Sequence, residues 1–179
     1  MNTPAHMALS LAAVGRRARK GDIWWILGGA LLPDLFLYAE HFLGRGTAGL
    51  LVDVFNSVPV YAVLLIGALA TNRRRLVLLA ASALLHIAFD LPFHAGDAHA
   101  HFWPITSQPW QSPVSFWDAD HHGRLFGLLE AVLTAVCLWV LWSRKKAQRV
   151  AAVVLGILYL NAFVHFVGHA FAGSHWALW

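Results

Sequence analysis

Six apolar stretches, at about residues 4–15, 22–43, 58–71, 76–93, 125–143 and 150–171, are separated by short polar connections, and this pattern constrains the chain more than any other feature. At about 1.5 Å per helical residue most of them are long enough to cross a hydrocarbon core of about 30 Å. Backbone polar groups in lipid are satisfied within helices or closed barrels, and these uninterrupted apolar runs lack the alternation of a barrel strand. The expectation is an all-α, polytopic membrane bundle of about five or six embedded helices, forming a single integral membrane domain over 1–179. Composition agrees: 59% hydrophobic and 12% charged residues exclude an ordinary soluble domain. The first and third stretches are short, and the first reads as a partial or re-entrant helix covered by others. It also lacks the character of a cleavable signal peptide, because its positive charges follow rather than precede it.

Eleven of the thirteen Lys and Arg residues fall in three alternate connections: Arg16, Arg17, Arg19 and Lys20; Arg73, Arg74 and Arg75; Arg144, Lys145, Lys146 and Arg149. The positive-inside rule places these connections in the cytoplasm and the segment at about 95–124 outside. Span-end topology accounts for the basic runs, so no nucleic-acid partner is expected. The expected partner is the lipid bilayer, in a membrane of the bacterial inner type, and the oligomeric state is open. Trp103, Trp110, Trp117, Phe102 and Phe116 suit an external cap resting on the outer leaflet.

Ionisable residues inside the apolar stretches carry the functional signal. Measured from the cytoplasmic helix ends at about 1.5 Å per residue, His6 and His86 lie roughly 15 Å deep, Asp34 about 18 Å, Glu130 about 20 Å, Asp90 about 21 Å and His165 about 22 Å. A single buried Asp costs at least about 2.5 kcal/mol, so a shared level across five helices argues for a site. His86 and Asp90 are four apart and share a helix face, which His94 continues if the helix survives Pro92; His165 and His169 repeat the spacing. The one cysteine, Cys137, permits neither an intrachain disulfide nor a thiolate cluster. Imidazole and carboxylate without thiolate suit zinc, or else manganese, in an open catalytic site. The external segment adds His99, His101, Asp118, Asp120, His121 and His122. Each element also has a structural reading: single histidines as hydrogen-bonded core residues, His86 with Asp90 as an interhelical hydrogen bond, and Glu130 as a partner of a helix N-terminus or of Arg124.

The segments "NTPAH", "LLPD", "HIAFD" and "FWP" occur in an order that resembles the YdjM/YbcI-type family of predicted membrane-bound metal-dependent hydrolases. That family is similar in motif order to zinc-dependent phospholipase C and the fungal single-strand nucleases. The resemblance implies His6, Asp34, His86 and Asp90 as metal ligands, with Asp90 bridging, and further ligands among His94, His99, His101, His121 and His122. Phe36 stands where the family often has a second acid, with His41 as a substitute, which leaves the number of ions open.

The function expected from these readings is metal-dependent hydrolysis of an ester or phosphoester, lipid-like or from the cell envelope, at the outer face. One or more zinc ions would activate water, and a carboxylate such as Asp90, Asp118 or Asp120 would take the proton, with Glu130 a further catalytic candidate. A cation or proton transporter using the same His/Asp ladder is the alternative from another class, although the inner halves "LGGA", "LVLLAAS" and "VLGIL" offer it almost no polar path. A metal-stapled structural membrane protein is the third reading.

Overall fold

A computed structural model describes residues 1–116 and 118–174, the side chains of 41–43 and 45–48 excepted, so Trp117 and the side chain of His41 lie outside the described residues. The described residues form seven α-helices and no strand: α1 Thr3–Val14, α2 Asp22–Leu43, α3 Arg45–Phe55, α4 Val58–Ala70, α5 Arg74–Asp90, α6 Gly123–Trp142 and α7 Lys146–Val167, the last continued by a π-helical turn Gly168–Ala172. Local chemistry explains several of the boundaries. Ser57 caps α4, its hydroxyl accepting from the Val60 amide at 3.2 Å, with Pro59 in the first turn. The apolar run expected to continue to residue 93 stops as a helix at Asp90: Leu91 keeps helical dihedrals and donates its amide to the Ile87 carbonyl, but Pro92 has no N–H with which to extend the ladder.

The number of spans is a correction to the expected five or six. Three segments are long and apolar enough to cross a membrane, Asp22–Glu40, Gly123–Trp142 and Lys146–Ala172; a bent pair, Gly49–Phe55 with Val58–Ala70 at 51°, would make a fourth. Counting apolar stretches overestimates the number because three of the helices are short. The 12 residues of α1 reach only about 18 Å and the 13 of α4 about 20 Å, while the 17 of α5 begin with two arginines. Helix α3, with Arg45 and Asp53, falls in a stretch where no helix was expected.

The short first helix is the axis of the bundle. It packs against α2, α5, α6 and α7, and Ala5, His6, Ala8 and Leu11 have no exposed surface. The interior is unusually polar, with Ser10, Ser82, His86, Asp90, Glu130 and Thr134 all buried, whereas large apolar side chains such as Trp24, Val63, Ile66, Trp139, Ile157 and Leu160 face outward. Such an outer surface suits lipid rather than water.

Two features fix the helices around the site. At Gly29 the backbone of α2 touches that of α5: a Cβ there would sit 2.2 Å from the Leu79 carbonyl oxygen. At the opposite end from Asp90 the three basic connections converge. Arg74 reaches Asp22 at 3.1 Å and the Arg17 carbonyl at 3.0 Å, Arg144 donates to the Leu11 and Ala12 carbonyls that end α1, and Gln148 donates to the Gly15 carbonyl at 2.8 Å. A cation on these last carbonyls satisfies acceptors that the helix leaves open.

The segment after α5 folds back over the other end. Ser112 and Phe116 donate their amides to the carbonyls of His94 and Phe93, and the Val58 amide donates to the His101 carbonyl at 2.8 Å. Buried His101 places Nδ1 3.1 Å from the Asn56 carbonyl, and Asn56 in turn donates to the Pro33 carbonyl at 3.0 Å. The α3–α4 junction thus ties the segment after α5 to α2 one residue before Asp34.

Candidate metal centre

His6 from α1, Asp34 from α2, and His86 and Asp90 from α5 meet in the interior, where they are nine-tenths or more buried. The approach of α2 to α5 at Gly29 makes this possible. His6 Nε2 is 2.8 Å from Asp90 Oδ1, while His86 Nε2 is 2.9 Å from Asp90 Oδ2 and 3.3 Å from Asp34 Oδ1. The two imidazoles lie parallel, 3.6 Å between centroids and 14° between planes, so both present Nε2 to one carboxylate.

Supporting groups orient the cluster. His86 Nδ1 lies 2.7 Å from the Ala30 carbonyl, which can only accept, so Nδ1 carries a proton and Nε2 is the ring atom turned toward the carboxylates. Despite their proximity, neither carboxylate oxygen is aligned for a hydrogen bond with Nε2, and His6 Nδ1 is likewise buried without a hydrogen-bond partner. Thr3 donates its hydroxyl to Asp34 Oδ2 and lies 2.9 Å from the Tyr38 hydroxyl. The Met1 amino group is 2.8 Å from Asp90 Oδ1.

These residues fit a metal ion. One ligand atom each from His6, His86 and Asp90 can be chosen within 4.8 Å of one another, the one such group among the described residues. Zinc bonds of about 2.0–2.1 Å in tetrahedral geometry set ligand atoms about 3.3 Å apart, the separation of His86 Nε2 from Asp34 Oδ1, whereas the 2.8 and 2.9 Å contacts to Asp90 would widen by about 0.5 Å on binding. A metal cation there would offset the burial of two carboxylates, and the Ala30 carbonyl is placed to fix the orientation of His86 as a ligand.

The remaining candidates occupy other places. His94 Nε2 is 3.4 Å from Asp90 Oδ1 and its Nδ1 2.8 Å from Asp97, so it flanks the cluster from the segment that follows α5. Burial disfavours its cation, but the adjacent carboxylates of Asp90 and Asp97 prevail and hold its pKa up to about 9. His99 continues the row, 6.2 Å from the His94 ring and 6.1 Å from that of His101, and burial, reinforced by those neighbouring imidazoles, lowers it to about 4. Asp118 pairs with His121 at 2.7 Å and accepts from the Asp120 amide at 2.9 Å; these contacts hold its carboxyl below the usual range. Asp120 is exposed, and His122 occupies the left-handed turn (φ 63°) that opens α6. His165 lies on α7 with its ring 6.4 Å from that of His169. Glu130 is buried beside α1, where its carboxylate accepts from the Asn2 side chain at 2.7 Å and the Asn2 amide at 3.3 Å.

Sequence reasoning did not single out Thr3 or the Ala30 carbonyl. Thr3 stands within the "NTPAH" segment three residues before His6; a backbone carbonyl leaves no trace in a sequence. No family model matches the chain, and no curated protein or solved structure does.

Proposed function

We propose that the protein is a membrane-embedded metalloprotein, and that the centre of His6, His86 and Asp90, with Asp34 beside them, holds zinc and serves the hydrolysis of an ester or phosphoester. The observation that carries this reading is His86: a ring fixed by Ala30, with a buried Nε2 that meets two carboxylates and no aligned donor. The likeness in motif order to predicted membrane-bound metal-dependent hydrolases supports the same ligand set. Bound zinc would supply a water acidified toward neutrality and a Lewis acid for the scissile oxygen. Of the chain's own groups, Asp34 and Asp90 can hold a proton beside the imidazoles, Thr3 and Tyr38 orient Asp34, and His94 with Asp97 forms the polar approach from the external segment. Placement of the external segment outside the membrane belongs to this proposal and follows from the basic connections at the opposite end.

Elemental analysis of purified protein, with a nitrophenyl phosphoester assay beside it, tests the reading. Wild-type protein is expected to hold stoichiometric zinc; His86→Ala and Asp90→Ala are expected to lose both metal and hydrolysis, and the His121→Ala, His122→Ala pair to retain metal. Stoichiometric metal that survives replacement of both His86 and Asp90 would defeat it. The near-complete burial of the ligands favours a second reading, a metal staple that locks α1 to α5. A chelator that lowers the melting temperature of a protein inactive on every ester tested would select the staple.

A further inference from the structure

Between α2 and α7, on the outside of the bundle and away from the metal centre, runs an apolar groove of about 890 Å³. Trp24, Val154 and Leu158 line it, all exposed, and its mouth at the basic end is set with Arg19, Lys20, Lys145 and Lys146. Both walls belong to segments long and apolar enough to cross a membrane. From Lys146 to Leu158 the groove follows α7 for about 18 Å, close to the depth of one leaflet.

Three of the four cations at its mouth have no protein counter-charge among the described residues. Asp22, the acid at this end, is engaged by Arg74 at 3.1 Å and the Arg19 amide at 2.9 Å. Arg144 is committed to the carbonyls that end α1. Lys20, Lys145 and Lys146 meet no carboxylate among the described residues, and all three are exposed. Basic residues at headgroup depth above an apolar furrow match a single amphiphile, a phosphate below which an acyl chain extends.

We infer that this groove is a binding site for one anionic phospholipid, its headgroup phosphate held by Lys20, Lys145 and Lys146 and an acyl chain laid along α7 against Trp24. The site is independent of the metal centre. Charge complementarity and the position of the groove within two spanning segments single out a lipid from other amphiphiles.

Native mass spectrometry of the full chain in mild detergent tests this with phosphatidylglycerol and phosphatidylcholine of identical chains. One phosphatidylglycerol is expected to remain bound at concentrations that leave phosphatidylcholine unbound. Replacing the three lysines by Gln is expected to raise its half-saturating concentration roughly a hundredfold, from about fivefold for each cation. Val154→Trp, which fills the furrow and keeps the cations, is expected to weaken retention as well, and glycerol phosphate alone to compete poorly. Equal retention of both lipids, unaffected by the variants, would reduce the groove to ordinary lipid contact and overturn the inference. So would glycerol phosphate competing as well as the whole lipid, or Val154→Trp leaving retention intact. Should the lysine variant not fold, the Val154 variant and the competition still decide.

Discussion

Gly29→Ala adds one methyl group where α2 and α5 meet backbone to backbone. The new Cβ would lie 2.2 Å from the Leu79 carbonyl oxygen and 2.9 Å from its carbonyl and α carbons, none of which can rotate aside. An ordinary contact of about 3.4 Å requires the helices to part by roughly 1.2 Å. The next residue, Ala30, holds His86 Nδ1 at 2.7 Å, and a shift of that size carries the bond beyond the hydrogen-bonding limit of about 3.2 Å while Asp34 retreats from His86 Nε2. Overpacking of this kind costs about 1–3 kcal/mol of stability, and losing the hydrogen bond that fixes a metal-ligating histidine costs about 10–100-fold in metal affinity. Gly28→Ala is the control, because a Cβ there meets nothing within 4 Å; it is expected to be neutral or to stabilise by up to about 1 kcal/mol. Denaturant melts in detergent, with zinc affinity measured against a competing chelator, read both quantities. If Gly29→Ala matches Gly28→Ala in stability and zinc affinity, the backbone contact does not set the α2–α5 spacing and the reasoning is refuted.

Glu130→Ala should lower stability by about 1–3 kcal/mol, since it strips the buried acceptor from Asn2, and a thermal melt showing no change would remove Glu130 from its positioning role. The segment around His99 should loosen in acid: its pKa of about 4 in the fold lies below the ordinary 6.5, so its stabilising effect is complete above pH 6.5 and is lost as pH falls toward 4, and His101, also lowered by burial, acts in the same direction. Hydrogen exchange across residues 94–103 at pH 7 and pH 5 measures this, and equal protection at both would contradict it. Reporter fusions at Asn72 and Gln108 should report opposite faces of the membrane; the same face for both would undo the topology.

Much of the cluster was legible because two signals survive in one dimension. Four-residue spacing puts His86 and Asp90 on one helix face, and depth counted from the basic connections places His6, Asp34 and both α5 residues at a common level. The same depth count could not separate Glu130 and His165 from the site, because depth carries no azimuth: Glu130 is turned to Asn2, and His165 lies near His169. Hydropathy located six of the seven helices within a few residues but overstated the spans, since it does not register that a helix as short as α1 is enclosed by protein. Helix α3 escaped because Arg45 and Asp53 interrupt its apolar run.

The central position of α1 has a consequence for how the protein is made. His6 and Asp90 are 84 residues apart, so at about 5–20 residues per second the histidine waits roughly 4–17 s for its partner to be synthesised. Helices α6 and α7, which complete the enclosure, come later still. Throughout that interval α1 is a 12-residue segment with a titratable side chain, too short to hold a transmembrane position by itself. Helix α1, translated before the helices that enclose it, is therefore among the last to reach its final surroundings, and assembly of the bundle amounts to closing a sheath around a waiting core.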